Sequence, residues 1–181
     1  DLKILLETIQ DEYLFKIARM NFSSDCFTDK APLNFRYIGF IKKIFPHSKI
    51  INCNRDPIDV CWSNFKNYFS NSLPFSNNLN NLTLYYSLYQ NYINFWKDSF
   101  ADDIYDISYE KLVKDPKAEI KSLLDFCNLE WDEKCLKHEE NPKPIKTASW
   151  VQARKPIYKS AVKSSDHYKE YLSEFIKKIK N

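Results

Sequence analysis

The stretch Lys49-Ile-Ile-Asn-Cys-Asn-Arg-Asp-Pro57 holds the local pattern that decides the fold. Its first half is apolar and rich in β-favouring residues, which predicts a strand over residues 49–54. Its second half predicts an immediate helix, because Asp56 can cap the first helical N–H groups and Pro57 suits the first helical position. A strand that passes directly into a helix is typical of α/β domains, in which parallel strands alternate with helices.

The same alternation continues on both sides of this stretch. Residues 26–30 and 104–108 are further strand candidates, and Asp115-Pro116 repeats the aspartate–proline helix start. Apolar residues spaced three and four apart predict helices over residues 2–19, 34–45, 57–68, 82–99, 116–128 and 168–179. We therefore expect one α/β domain over residues 1–181, although three readable strands are few for a parallel sheet.

Glycine is nearly absent, because Gly39 is the single glycine among 181 residues. A chain with one glycine cannot contain a G-x-x-x-x-G-K-[ST] phosphate loop or a G-x-G-x-x-G dinucleotide loop. It cannot carry a G-x-S-x-G nucleophile elbow either. Any phosphate site in this chain must therefore be built without a glycine loop, or part of that site is missing.

Composition and charge exclude several other classes. The net charge of +3 is too small to indicate nucleic-acid binding. No apolar run approaches the ~18 residues of a membrane span, so we expect no membrane insertion and a cytoplasmic location. The five cysteines form no C-x-x-C pair. Their spacing and that of the three histidines do not suit a zinc site, so we expect no metal.

Polar residues follow each predicted strand, where parallel sheets bind their ligands. Arg55 precedes a helix N-terminus, whose free N–H groups attract anions, and Ser63 lies about two turns into that helix. These two residues could grip a phosphate; alternatively, Arg55 pairs with a local aspartate and Ser63 lies on the helix surface. Lys30 is a ligand candidate or a solvated turn lysine, and Tyr109 stacks on a base or packs in the core.

The C-terminal quarter contains a second anion candidate. Residues 139–167 are irregular and hold a polar, basic loop able to donate several hydrogen bonds: Thr147, Ser149, Gln152, Arg154 and Lys155. Loops of this length usually have a function or are mobile. The residue pattern alone thus predicts an α/β domain with an anion site and does not name the anion.

Taken together, four stretches resemble the sulfotransferase family, and most closely its bacterial branch associated with tetratricopeptide repeats and related to tyrosylprotein sulfotransferases. Their order and spacing agree with the family over nearly the whole chain. They are Thr28–Phe35, Phe45–Ser63, Tyr109–Pro116 with Leu123–Phe126, and Thr147–Ser149 with Arg154–Tyr158. The resemblance implies a three-layer α/β fold with a parallel sheet of the P-loop nucleotide-kinase type. It also implies transfer of a sulfuryl group from 3′-phosphoadenosine 5′-phosphosulfate to an acceptor hydroxyl, without a metal.

The resemblance assigns five residues to the donor nucleotide. Arg55 and Ser63 match the clamp on the 3′-phosphate, which a guanidinium fork and a hydroxyl suit geometrically. Tyr109 matches the tyrosine near the adenine. Lys155 and Lys163 are charges in the segment that wraps the 3′-phosphate.

Two further residues match the sulfuryl-transfer end of the site. Lys30 matches the lysine that stabilises charge on the transferring group, and Ser149 matches a serine beside that lysine. The family's first strand, its 5′-phosphosulfate loop and the general-base carboxylate have no counterpart in this sequence. We therefore expect the C-terminal portion of a catalytic domain, with little activity alone; the alternative is a non-catalytic nucleotide-binding or interaction domain derived from a sulfotransferase. Ser165 also stands where relatives usually carry tryptophan.

The expected lack of a central strand has a consequence for assembly. An unpaired sheet edge is a liability that proteins normally cover. We expect the chain to pair with itself as a homodimer through that edge, or to be only marginally stable.

Overall fold

The computed structural model describes residues 1–20, 26–67, 69, 73–142 and 150–180. The helices are α1 (Leu2–Ala18), α2 (Ile38–Ile44), α3 (Pro57–Lys66), α4 (Leu79–Ser99), α5 (Tyr109–Lys114), α6 (Pro116–Phe126), α7 (Trp150–Ala153) and α8 (Ser173–Lys180). Six short 3-10 helices are also present: Pro32–Tyr37, Pro74–Asn77, Ala101–Asp103, Glu133–Leu136, His138–Glu140 and Ser164–Tyr168.

Strands β1 (Ile50–Asn54) and β2 (Ile104–Ser108) form a two-stranded parallel sheet. This confirms the α/β class and the two strands predicted there. The strand predicted at residues 26–30 is wrong: these residues form no strand, and all five side chains are exposed. Their β-favouring composition is not sufficient, because a strand needs a neighbouring strand to bond its backbone and an apolar surface to cover one face.

Both predicted aspartate–proline helix starts are confirmed. The Asp56 Oδ1 atom accepts hydrogen bonds from the N–H groups of Ile58 (3.0 Å) and Asp59 (2.9 Å), and α3 begins at Pro57. Asp115 accepts a hydrogen bond from the Ala118 N–H at 3.2 Å at the start of α6. These caps bond N–H groups that have no partner within the helix, and they fix where each helix begins.

The chain divides into two compact units. The first contains residues 1–50 and 89–104, and the second contains residues 51–88 and 105–181. The single domain predicted for residues 1–181 stays a prediction. Within the described part of the chain, no helix is both long and apolar enough to cross a membrane.

The first unit has a core of Ile38, Ile93 and Ile104, with Trp96 packed against it. A hydrogen bond of 2.8 Å from the Trp96 Nε1–H to the Phe35 carbonyl fixes the indole ring. The ring lies against the single glycine of the chain, because a Cβ atom at Gly39 would come within 2.6 Å of Trp96 Cη2 and Cζ3. Close packing against tryptophan is therefore the structural reason for a glycine inside α2.

We expect Gly39→Ala to lower the free energy of unfolding by up to about 2 kcal/mol. Alanine improves helix propensity by at most about 1 kcal/mol, but forcing an extra methyl group into a packed site costs about 1–3 kcal/mol. Urea titration of the wild type and the variant measures the difference. Lys43→Ala, at an exposed position of the same helix, is the control and should change stability by less than about 0.5 kcal/mol. A stabilised Gly39→Ala variant would contradict the packing role.

A buried lysine orders the turn after α2 in the same unit. Only 4% of the Lys42 side chain is exposed, and its ammonium group lies 2.9 Å from Asp103 Oδ2. It also donates hydrogen bonds to the carbonyl groups of Pro46 and Ser48. The hydrogen bond from Lys42 holds the pKa of Asp103 below its ordinary value, which favours the charged carboxylate. This lysine is thus a structural residue with its charge fully matched.

The second unit has a core formed by Cys61, Leu82, Leu172 and Phe175. Leu172 and Phe175 bring the C-terminal segment against α3 and the first part of α4. This agrees with the apolar spacing of residues 168–179, which predicts one helix face made of Tyr168, Tyr171, Leu172, Phe175, Ile176 and Ile179. Two details of that prediction are wrong. The helix begins at Ser173, after a 3-10 turn at Ser164–Tyr168, and Tyr171 is 86% exposed instead of lying on the apolar face.

Candidate functional site

The ends of the two parallel strands meet in the second unit. The Asn52 side-chain amide in β1 donates a 2.7 Å hydrogen bond to Asp106 Oδ1 in β2. Just beyond the strands, Glu110 Oε1 accepts a hydrogen bond of 2.9 Å from the Asp56 N–H. These bonds tie the segment after β1 to the segment after β2, as the strand-end rule predicts. Arg55 and Tyr109, one in each segment, are therefore brought together.

Arg55 is the centre of this arrangement. Its Cζ atom lies 4.9 Å from the centroid of the Tyr109 ring, a cation–π distance. Its Nη2 atom donates a 2.5 Å hydrogen bond to the Ala161 carbonyl and lies 3.5 Å from Asp59 Oδ2. The ion pair with a local aspartate, one of the two alternatives for Arg55, is thus present. The Nε atom is buried and has no hydrogen-bond partner among the described residues.

Asp59 is fully buried, with 0% of its surface exposed. Its carboxylate accepts hydrogen bonds from the Lys163 N–H at 2.7 Å and the Ser165 N–H at 2.8 Å. Burial alone raises the pKa of Asp59, but the hydrogen bonds from Ser165 and Lys163 and the Arg55 charge outweigh it, so the pKa lies below its ordinary value. The group is therefore a buried, charged anchor between α3 and the segment that follows Ala161.

Tyr109 and Lys155, two of the predicted donor-binding residues, line one cavity of about 230 Å³. Burial raises the pKa of the Tyr109 hydroxyl, so this group is a neutral donor at physiological pH. The cavity mixes apolar, aromatic and basic side chains: Tyr109, Leu112, Val113, His138, Ala153, Lys155, Pro156, Ile157 and Tyr158. Apolar and aromatic walls with a few polar groups are typical of sites for small ligands.

The other predicted site residues are more scattered. Ser63 is half-buried in α3, where its backbone carbonyl accepts a 2.6 Å hydrogen bond from the Asn67 side chain. Lys163 is exposed, and its backbone is in the left-handed region, with a φ of 58°. Lys30 is exposed in the first unit, and Ser149 lies outside the described residues.

For Asp59 and Glu110, the sequence indicates the position but not the partners. The place of Asp59 in the first turn of α3 indicates a favourable charge near a helix N-terminus, and its position four residues after Arg55 is also a spacing that permits an ion pair. Glu110 follows β2 beside Tyr109, as the strand-end pattern indicates, but its hydrogen bond to the Asp56 N–H joins residues 54 positions apart, which no local pattern shows. In the described residues no group of three or more histidine, cysteine, aspartate or glutamate side chains could hold a metal ion.

Comparison with known proteins adds the family context. A family model described as "Sulfotransferase family" matches residues 1–133. That range contains Lys30, Arg55, Ser63 and Tyr109, and it ends before Lys155. A protein of Aquifex aeolicus (strain VF5), named only "Uncharacterized protein", is 32% identical over 175 residues. The match covers 95% of this chain and 23% of that relative, so the chain spans about a quarter of the relative's length.

Proposed function

The chain belongs to the sulfotransferase family, and on that premise we propose that it binds the 3′-phosphate and adenine of 3′-phosphoadenosine 5′-phosphosulfate. In the whole protein, this donor would supply a sulfuryl group to an acceptor hydroxyl. Sulfuryl transfer resembles phosphoryl transfer in that the protein chiefly positions the reactants in line and neutralises developing charge.

The observation that carries the proposal is the state of Arg55. The Tyr109 ring, Asp59 and the Ala161 carbonyl hold the guanidinium in one orientation. Its buried Nε–H lacks an acceptor among the described residues, although an unsatisfied buried donor costs about 1–3 kcal/mol. A phosphate oxygen would supply that acceptor, and a guanidinium fork fits a phosphate better than any other cationic side chain does.

The remaining residues receive roles around this arginine. Ser63 would donate its hydroxyl to the 3′-phosphate, and Lys155 and Lys163 would add positive charge. Tyr109 would lie against the adenine in the cavity that it shares with Lys155. Lys30 and Ser149 would act at the sulfuryl-transfer end, where Lys30 stabilises charge on the transferring group.

Calorimetric titration with 3′,5′-adenosine bisphosphate tests the proposal, with 5′-AMP as the matched nucleotide that lacks the 3′-phosphate. We expect the bisphosphate to bind at least about tenfold more tightly, because one charge-assisted hydrogen bond contributes about 1.5–3 kcal/mol. We also expect EDTA to leave this affinity unchanged. Equal affinities would contradict the assignment of a 3′-phosphate site.

The rival function is a non-catalytic domain derived from a sulfotransferase. One result would favour a nucleotide-binding domain: the chain binds the bisphosphate, but the whole protein, given the sulfated donor and hydroxyl acceptors, does not release the bisphosphate as a product. Failure to bind either nucleotide would favour an interaction domain. Self-pairing through the edge of the two-stranded sheet stays a prediction beside both functions.

A further inference from the structure

Asp59 is the one carboxylate in the described residues that is both fully buried and bonded to a distant segment of the chain. We propose that Asp59 is a positioning residue of the donor site: it holds Arg55 and residues 161–165 in the arrangement that receives the 3′-phosphate. This inference rests on the proposed function and deepens it. Since Asp59 has no exposed surface, it acts through its neighbours and not by contact with the nucleotide.

The segment around Lys163 has the backbone geometry of an anion site. The left-handed conformation of Lys163, with a φ of 58°, turns two N–H groups, its own and that of Ser165, toward one point. Converging N–H groups of this kind form a concave nest for anions. Here the anion in the nest is the carboxylate of Asp59, so these two N–H groups are not free to bind a phosphate.

The same carboxylate joins this nest to the arginine. Oδ2 of Asp59 accepts the Lys163 N–H at 2.7 Å and lies 3.5 Å from Nη2 of Arg55. That Nη2 atom in turn donates to the carbonyl of Ala161, two residues before Lys163. Arg55, Asp59 and residues 161–165 thus form a closed ring of contacts, in which the buried Nε–H of Arg55 has no acceptor among the described residues.

The charge of Asp59 is essential to this ring. An asparagine has the same shape but presents an NH₂ group in place of one carboxylate oxygen. With either amide orientation, that NH₂ would meet the Lys163 N–H or the Ser165 N–H, donor against donor, and the partner charge of Arg55 would be lost. We therefore expect Asp59→Asn to break the contacts that hold residues 161–165 against α3, and to let the Arg55 guanidinium leave its present orientation.

The test compares Asp59→Asn with Asp56→Asn in the 181-residue chain. Asp56 is exposed and caps the same helix, and asparagine caps as well as aspartate does. We expect Asp59→Asn to weaken binding of 3′,5′-adenosine bisphosphate by about tenfold or more and to leave the affinity for 5′-AMP unchanged. Asp56→Asn should leave both affinities nearly unchanged. An equal loss of affinity for both nucleotides in Asp59→Asn, or no loss for either, would overturn the positioning role.

A second measurement needs no variant and remains informative if Asp59→Asn fails to fold. If the Asp59-held arrangement is the one that binds the nucleotide, saturating bisphosphate must stabilise it. Amide hydrogen exchange at Lys163 and Ser165 should then slow in the wild type, and unchanged or faster exchange would overturn the inference. A wild type that binds no bisphosphate would refute the proposed function and the positioning role together. Normal wild-type binding with an unaffected Asp59→Asn variant would refute the positioning role alone.

Discussion

Replacing Arg55 by alanine is expected to weaken the binding of 3′,5′-adenosine bisphosphate by about 100-fold, which corresponds to about 2.7 kcal/mol. The arginine offers the 3′-phosphate a charge and oriented N–H donors, and hydrogen bonds to charged groups contribute about 1.5–3 kcal/mol each. The effect is large because Tyr109 and Asp59 already hold the side chain in place, so little conformational entropy is lost on binding. Calorimetric titration of the variant measures the loss.

Two control variants make the result specific. Arg19→Ala removes a guanidinium from the exposed end of α1 and should leave the affinity unchanged. Arg55→Lys keeps a charge beside the buried Asp59 but loses the planar fork, so the loss should be about tenfold. Because Arg55→Ala leaves a buried carboxylate unpaired, its melting temperature must show that the folded protein is being titrated. An Arg55→Ala variant that is folded and binds like the wild type would refute the clamp.

Replacing Leu172 by alanine is expected to lower the free energy of unfolding by about 3 kcal/mol. Leu172 is 2% exposed and lies in the core of the second unit with Cys61, Leu82 and Phe175. The substitution removes buried apolar surface and leaves a cavity, and the two effects add. Denaturant titration gives the change, provided that the slope of unfolding is the same in both proteins.

The neighbouring residue is a matched control for this prediction. Tyr171 is larger than Leu172 but 86% exposed, so Tyr171→Ala should change the free energy of unfolding by less than about 0.5 kcal/mol. Equal effects of the two substitutions would show that the C-terminal segment does not pack on the second unit as described. A loss in the free energy of unfolding for Leu172→Ala alone would confirm that the segment leading into α8 packs in this core.

The sequence was most informative where structure depends on residues close together in the chain. The helix starts at Asp56-Pro57 and Asp115-Pro116 follow from local hydrogen bonding, and both are confirmed. Asparagine suits the left-handed position that follows a helix, and Asn128, after the end of α6, has a φ of 55°. Each of these features depends on contacts within a few residues, which a sequence pattern shows directly.

Prediction failed where the outcome depends on distant partners. Residues 26–30 have a strand-like composition, but no described segment pairs with them. The apolar run around Cys53 predicts a position in the core, yet this cysteine is exposed on β1. Strand pairing and the choice of buried face are properties of the whole sheet, and local composition does not determine them.

The candidate site shows the same division. Arg55 and Tyr109 could be placed together from the sequence, because parallel strands bring their carboxyl ends to one edge. The role of Asp59 could not, since its partners Lys163 and Ser165 lie more than 100 residues away, at separations of 104 and 106. A long separation of this kind has no periodicity, so only the folded structure shows that α3 and the segment after Ala161 share one buried carboxylate.

The most direct test of the 3′-phosphate clamp is the discrimination between two nucleotides, measured in the wild type and in Arg55→Ala. Calorimetry would give the ratio of the affinities for 3′,5′-adenosine bisphosphate and 5′-AMP in each protein. If Arg55 contacts the 3′-phosphate, the wild type prefers the bisphosphate by about 100-fold, and most of that preference is lost in the variant. A folded Arg55→Ala variant that keeps the wild-type ratio would show that the 3′-phosphate is bound elsewhere.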